Sequence, residues 1–136
     1  MIVVIDYGMG NVGSVVNMLR KVGADAEATG DVDAIAQASK LVLPGVGAFD
    51  AAMTRLRDRD LVSVLNRRVI EDAVPILGIC LGMQVMTESS EEGREAGLGW
   101  FAGGTRRFRF EDGEPRLRVP HMGWNVVRTV KPTPLF

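Results

Sequence analysis

A chain of 136 residues with 46% hydrophobic and 24% charged side chains has the size and composition of one ordinary globular domain, which excludes disordered, collagen-like and coiled-coil proteins. Sixteen basic residues against seventeen acidic ones leave a net charge of -1, so no overall electrostatic pull towards nucleic acid or a membrane surface exists. The single Cys excludes an internal disulfide, no basic segment leads into an N-terminal apolar signal, and no apolar run nears the roughly 18 residues of a membrane span, making cytoplasm the expected compartment.

Ile2-Val3-Val4-Ile5 is a continuous apolar run, the form of a parallel strand covered on both faces. Residues 6–10 break it, and Val12, Val15, Val16, Leu19 and Val22 then recur at helical spacing up to Gly23, a C-terminal cap. A second strand is predicted within residues 24–29, Asp31 is an N-cap, and Leu41-Val42-Leu43 is a third strand closed by Pro44-Gly45. Ala51, Met53 and Leu56 mark one helix; Leu61, Val64, Leu65 and Val69 mark another, after the charged residues 57–60. Pro75-Ile76-Leu77-Gly78-Ile79 is a fourth strand, with a helix over 81–86. Strands alternating with helices predict a mostly parallel α/β sheet with helices on both faces, its ligand rim formed by the ends of strands one, three and four. Further on, Phe108 and Phe110 alternate with Arg107 and Arg109, Asp112-Gly113 offers a turn, and Leu117 and Val119 alternate with Arg116 and Arg118. This predicts an antiparallel hairpin with a solvated basic face. With no closing strand or helix after Val126, the sheet is expected to be incomplete at the C-terminus, within a single domain over 1–136.

Gly78-Ile79-Cys80-Leu81-Gly82 joins a predicted strand to a predicted helix with a thiol at the turn, the form of a nucleophile elbow. The amide of Leu81 is aimed to donate to an oxyanion there, while a buried apolar Cys is the plain alternative. Pro44-Gly45-Val46-Gly47 ends the neighbouring strand and offers a second close-approaching amide, or simply a helix-entry turn. Gly8-Met9-Gly10-Asn11-Val12-Gly13 fits a dinucleotide cradle, although Glu27 falls inside a strand instead of closing it; tight helix entry accounts for the same glycines. Gln84 stands one helical turn beyond Cys80, facing a polar substrate or solvent. Glu88, Glu91 and Glu92 are candidates for holding an ammonium, or a solvated acidic loop. His121, the one His of the chain, lies in Pro120-His121-Met122-Gly123-Trp124-Asn125, as a partner for the Cys or as part of a structural or interface loop.

Four motifs in this order, Asp6-Tyr7-Gly8-Met9-Gly10-Asn11, Pro44-Gly45-Val46-Gly47, Gly78-Ile79-Cys80-Leu81-Gly82-Met83-Gln84 and Pro120-His121-Met122-Gly123-Trp124-Asn125, resemble the glutamine amidotransferase subunits of imidazole glycerol phosphate synthase. The resemblance spans the chain. It implies a flavodoxin-like, class I amidotransferase fold, no cofactor and no metal. It implies that Cys80 attacks glutamine as nucleophile, that Val46 and Leu81 supply oxyanion amides, and that Gly45, Gly47, Gly82, Gln84 and Glu92 surround the substrate. It further implies a heterodimer in which ammonia passes to a (β/α)8 cyclase subunit, with Asn11, His121, Met122, Gly123 and Trp124 at the interface.

The family's base, a His followed two positions later by Glu, does not occur in these 136 residues, nor does its Tyr-Phe-Val-His segment. The expectation is therefore a nucleophile half-site from a truncated or partial subunit, nearly inactive alone. Two other readings share the motifs: an amidotransferase subunit feeding a sugar-modifying synthase, and a non-catalytic module that only binds the cyclase. A dinucleotide-binding domain is the remaining alternative.

Overall fold

The computed structural model describes residues 1–110, 119 and 121–132. Strand β1 (Ile2–Ile5) leads into helix α1 (Val12–Lys21), followed by β2 (Ala26–Thr29), α2 (Val32–Gln37) and β3 (Lys40–Gly45). Helices α3 (Phe49–Asp58) and α4 (Leu61–Asn66) come next, the latter running into a π-helical turn over Arg67–Glu71. Strand β4 (Ile76–Cys80), the short helix α5 (Leu81–Gln84), β5 (Thr87–Ser90) and β6 (Phe101–Thr105) complete the described elements. The first four strands form a parallel sheet of order β2-β1-β3-β4. Their C-terminal ends thus share one rim, and the register sets Gly45 beside Cys80 there.

The sheet is apolar on both faces because helices lie against both. Val3, Ile5, Leu41 and Leu43 pack with Ile35 of α2, Phe49, Met53 and Leu56 of α3, and Leu61 and Leu65 of α4, all buried. At about 1.5–3 kcal/mol per fully buried large side chain, this is the principal source of stability. On the opposite face Val4 and Val42 meet Val16 of α1, with Val12, Val15 and Leu19 around them. That cover stops short of β4, where Leu77 and Ile79 remain 50% and 39% exposed.

Local signals act where the spacing predicts. Asn11 Oδ1 accepts the Ser14 amide at 3.1 Å and Asp31 Oδ1 the Ala34 amide at 2.8 Å, capping α1 and α2. Each such cap contributes about 1 kcal/mol. Gly23 follows α1 at φ +86°, and Asp60, at φ +56°, turns the chain between α3 and α4.

The region after Cys80 departs from expectation. The helix predicted over 81–86 ends at Gln84, because the Val85 carbonyl accepts from the Leu98 amide at 2.8 Å and the Met86 carbonyl from Trp100 at 2.8 Å. Carbonyls engaged by incoming chain define a new ladder, and β5 and β6 form a two-stranded parallel sheet that polar Thr87–Ser90 and glycine-rich Phe101–Thr105 did not announce. Trp100 anchors this layer to α4 through Nε1–H donated to Asn66 Oδ1 at 2.8 Å.

The antiparallel hairpin is corrected in its first arm: residues 106–110 form no strand. Phe108 and Phe110 stack on one another, with ring centroids 6.4 Å apart, and the Arg107 amide goes to the Glu91 carboxylate in place of a strand partner. The predicted turn and most of the second arm, Leu117 included, lie outside the described residues. Residues 121–132 carry no helix or strand.

Candidate active site

The elbow is built by a strained residue. Cys80 ends β4 at φ 55° and ψ -119°, a conformation that costs a residue with a Cβ on the order of 1–3 kcal/mol. It turns the chain from the sheet directly into α5 and leaves the thiol exposed. The turn is tight because two backbones meet: a Cβ on Gly82 would lie 1.7 Å from the Leu43 carbonyl oxygen, and one on Gly45 would lie 3.0 Å from the Gly82 amide nitrogen. Gly10 closes on the same strand end, where a Cβ would stand 3.3 Å from the Gly45 Cα. Within the first glycine motif, Gly10 therefore serves close packing against β3. Glu27 lies inside β2, paired with Val3, and not at a strand end where an acid would meet a ribose, so the dinucleotide reading loses its acidic partner.

A cavity of about 880 Å³ opens over the elbow. Cys80, Leu81, Gln84, Gly47 and Glu92 line one part of it; Thr105, Arg106, Arg107 and Phe108 line another, with Val119 and His121. The elbow and, of the acidic-loop candidates, Glu92 thus share a site with a basic wall that sequence reasoning missed; Glu88 and Glu91 do not line it. Its signal was the Arg-Phe alternation, read as a solvated hairpin face. Gly45 and Gly82 are not among the lining residues; they allow the two backbones beside it to approach. Val46 follows Gly45 on the rim, its side chain exposed.

His121 reaches this cavity despite its distance along the chain. Its Nε2 lies 2.8 Å from Asn125 Nδ2, and among the described residues no hydrogen bond joins it to Cys80. Met122, Gly123 and Trp124 are exposed, Trp124 completely, and the tryptophan is not part of the core formed by the described residues. Asn11 sits across the rim, exposed and engaged in capping α1.

The loop that carries the acidic candidates is held from both sides. Asp50 accepts the Arg94 amide at 2.9 Å and the Glu95 amide at 3.0 Å, while Ser90 Oγ accepts the Glu92 amide at 3.1 Å. Glu88 accepts the Gly103 amide at 2.9 Å, and Glu91 accepts the Arg107 amide and the Arg109 guanidinium, each at 3.0 Å. The Arg107 amide, helped by the charges of Arg109 and Arg106, holds the Glu91 carboxyl below its usual range. Near Cys80, Tyr7 is fully buried with its hydroxyl unpartnered, and burial pushes it up to about 12, with a contribution from Cys80. Elsewhere, an apolar groove of about 380 Å³ between α1 and Ile79, lined also by Met18 and Val22, offers no titratable group. Among the described residues no cluster of three or more His, Cys, Asp or Glu forms a metal site, and no helix is long and apolar enough to cross a membrane.

The chain is 51% identical over 128 residues to imidazole glycerol phosphate synthase subunit HisH 2 of Methanococcus maripaludis, covering 94% of the chain and 62% of that protein. It is 54% identical over 127 residues to the subunit of the same name from Pseudomonas aeruginosa, covering 93% and 61%. With HisH of Thermosynechococcus vestitus it shares 52% over 132 residues, covering 97% and 61%. The chain thus spans about three-fifths of the length of these relatives. A crystal structure of a glutamine amidotransferase matches with a TM-score of 0.59 at 19% identity, over 71% of the chain and 51% of that structure, a likeness of fold. The profile described as glutamine amidotransferase class-I matches residues 3–136, and with the elbow, the parallel sheet and these relatives it establishes that the chain belongs to the class-I glutamine amidotransferase family.

Proposed function

We propose that the chain carries the glutamine-attacking half of the glutaminase site of an imidazole glycerol phosphate synthase subunit, acting in histidine biosynthesis. The observation that carries this reading is Cys80, strained and exposed at a strand-to-helix elbow and sharing one cavity with Gln84 and Glu92, in a chain about half identical to subunits bearing that name. In the reaction, the Cys80 thiolate attacks the side-chain carbonyl carbon of glutamine, and the displaced electron pair moves onto the carbonyl oxygen. The amides of Val46 and Leu81 stabilise that oxygen. The intermediate collapses with cleavage of the C–N bond, the leaving nitrogen takes up a proton equivalent to the one the Cys80 thiol gave up on ionising and departs as ammonia, and a γ-glutamyl thioester remains. Gln84 and Glu92 hold the polar and ammonium ends of the substrate, with Gly45, Gly47 and Gly82 allowing the close approach of main chain.

Water must then hydrolyse the thioester with the help of a base. The 136 residues contain no His-x-Glu pair, and the described hydrogen bond of His121 runs to Asn125. His121, Met122, Gly123 and Trp124, with Asn11 across the rim, face a cyclase subunit of (β/α)8 form that receives the ammonia. What supports this interface is their exposure and the naming of the relatives as synthase subunits.

The test is covalent labelling with 6-diazo-5-oxo-L-norleucine, a glutamine analogue carrying an electrophile, read by intact mass and peptide mapping. One label on Cys80, slowed by added glutamine, is expected. Labelling that glutamine does not slow, or that falls on other residues, refutes the reading. A chain that binds the cyclase yet takes no label would instead be a binding module.

A further inference from the structure

Among the described residues, the basic wall of the Cys80 cavity is held by few polar contacts. Past Thr105 the chain leaves the β5-β6 ladder, and residues 106–110 have no regular structure. Among the described residues, the polar ties of this stretch are the Arg107 amide and the Arg109 guanidinium, and both end on the carboxylate of Glu91, at 3.0 Å each. Glu91 itself is fixed, since its amide donates to the Thr105 carbonyl at 2.9 Å. The neighbouring Glu92 is placed independently, through Ser90 Oγ and the Asp50 anchor of residues 94 and 95. Loss of the Glu91 carboxylate would therefore release one wall of the cavity while leaving the elbow and the acidic loop where they are.

We infer that Glu91 is a positioning residue for glutamine: by gathering Arg107 and Arg109 it holds the strap of residues 106–108 against the cavity of Cys80 and Glu92, and it does so without lining that cavity. This rests on the glutaminase reading above. Both arms of the tether are charge-assisted, and the one to the Arg107 amide ends on main chain, so the pair is held more firmly than an exposed ion pair alone. Because it acts on the shape of the site and not on the thiol, its effect falls on substrate binding. The chemical reactivity of Cys80 is left unchanged.

The experiment compares the full wild-type chain with Glu91→Ala and Glu91→Gln. Labelling by 6-diazo-5-oxo-L-norleucine is measured as a function of reagent concentration, so that half-saturation and maximal rate separate, and reaction with chloroacetamide reports the bare thiol. Glu91→Ala should raise the half-saturating concentration about tenfold, the scale of one charge-assisted hydrogen bond, with the maximal rate and the chloroacetamide rate within about twofold of wild type. Glu91→Gln, which keeps an acceptor for the Arg107 amide, should recover a substantial part of the loss. An unchanged half-saturation in Glu91→Ala overturns the proposal, as does a parallel fall in both reactions with a lowered melting temperature, which is the mark of a structural role. Tryptic cleavage after Arg106, Arg107 and Arg109 reads the tether separately: Glu91→Ala should accelerate it severalfold, and unaltered cleavage overturns the tether. If the wild-type label is not slowed by glutamine while cleavage is accelerated, the glutaminase reading and the substrate role fall together and only the tether stands.

Discussion

Gly82→Ala sets two physical effects against each other and decides between them. Gly82 lies in helix α5 with an ordinary negative φ, and on propensity alone an Ala there favours the helix by about 1 kcal/mol. The structure predicts the reverse. The new Cβ would fall 1.7 Å from the Leu43 carbonyl oxygen and 2.6 Å from its carbonyl carbon, where real contacts essentially never come closer than 3.0 Å. Both obstacles are backbone, so no side chain can rotate away; β3 and α5 must separate by more than an ångström. Overpacking of this kind costs about 1–3 kcal/mol even where side chains yield, so a net loss of about 2–3 kcal/mol is expected. In urea, with a slope of roughly 2 kcal/mol per molar, the midpoint should fall by about 1 M or more. Gly99→Ala is the control: nothing lies within 4 Å of its Cβ position, and its φ of +67° costs only the left-handed backbone, about 1 kcal/mol. Because the separation moves Cys80 away from Gly45, Gly82→Ala should also lose glutamine-protected labelling. A midpoint equal to or above that of Gly99→Ala would refute the close approach of the elbow to β3, on which the oxyanion assignment depends.

Two further outcomes are expected. Tyr7→Phe removes a buried hydroxyl that has no partner and should be neutral or stabilising by up to about 1 kcal/mol at pH 8, measured by thermal melting. The pH dependence has a definite sign: unfolded tyrosine ionises near 10 and folded Tyr7 near 12, so its contribution is intact below pH 10 and is lost as pH rises towards 12, a decline that Tyr7→Phe should lack. Trp124→Ala should leave the melting temperature of the chain unchanged, because the side chain is fully exposed, while weakening a cyclase partner by about 2 kcal/mol in a binding titration. A large loss of stability with unaltered affinity would reverse that assignment.

Much of the fold was legible because its signals are local. β1 and β3 are apolar runs between helices, and Asp31 caps the helix it was expected to cap. β5 and β6 were not legible, since Thr87–Ser90 lacks apolar alternation and its pairing is imposed by carbonyls at 85 and 86 that meet residues 98, 100 and 101. The site divides in the same way. Cys80, its glycines and Gln84 are readable from their spacing. The wall of Thr105 to Phe108 depends on where a carboxylate fifteen or more residues earlier catches an amide, which no periodicity encodes. Residues 106–110 alternate without forming a strand, and the Arg107 amide there donates to the side chain of Glu91.

The positive φ of Cys80 has a consequence for evolution and engineering. At φ 55° and ψ -119° a glycine is relaxed where any residue with a Cβ is strained, so Cys80→Gly should gain stability on the order of 1 kcal/mol while removing the nucleophile. Variants selected for expression or heat tolerance alone would then tend to accumulate loss of chemistry at this position, and only selection that demands glutamine turnover would retain the thiol.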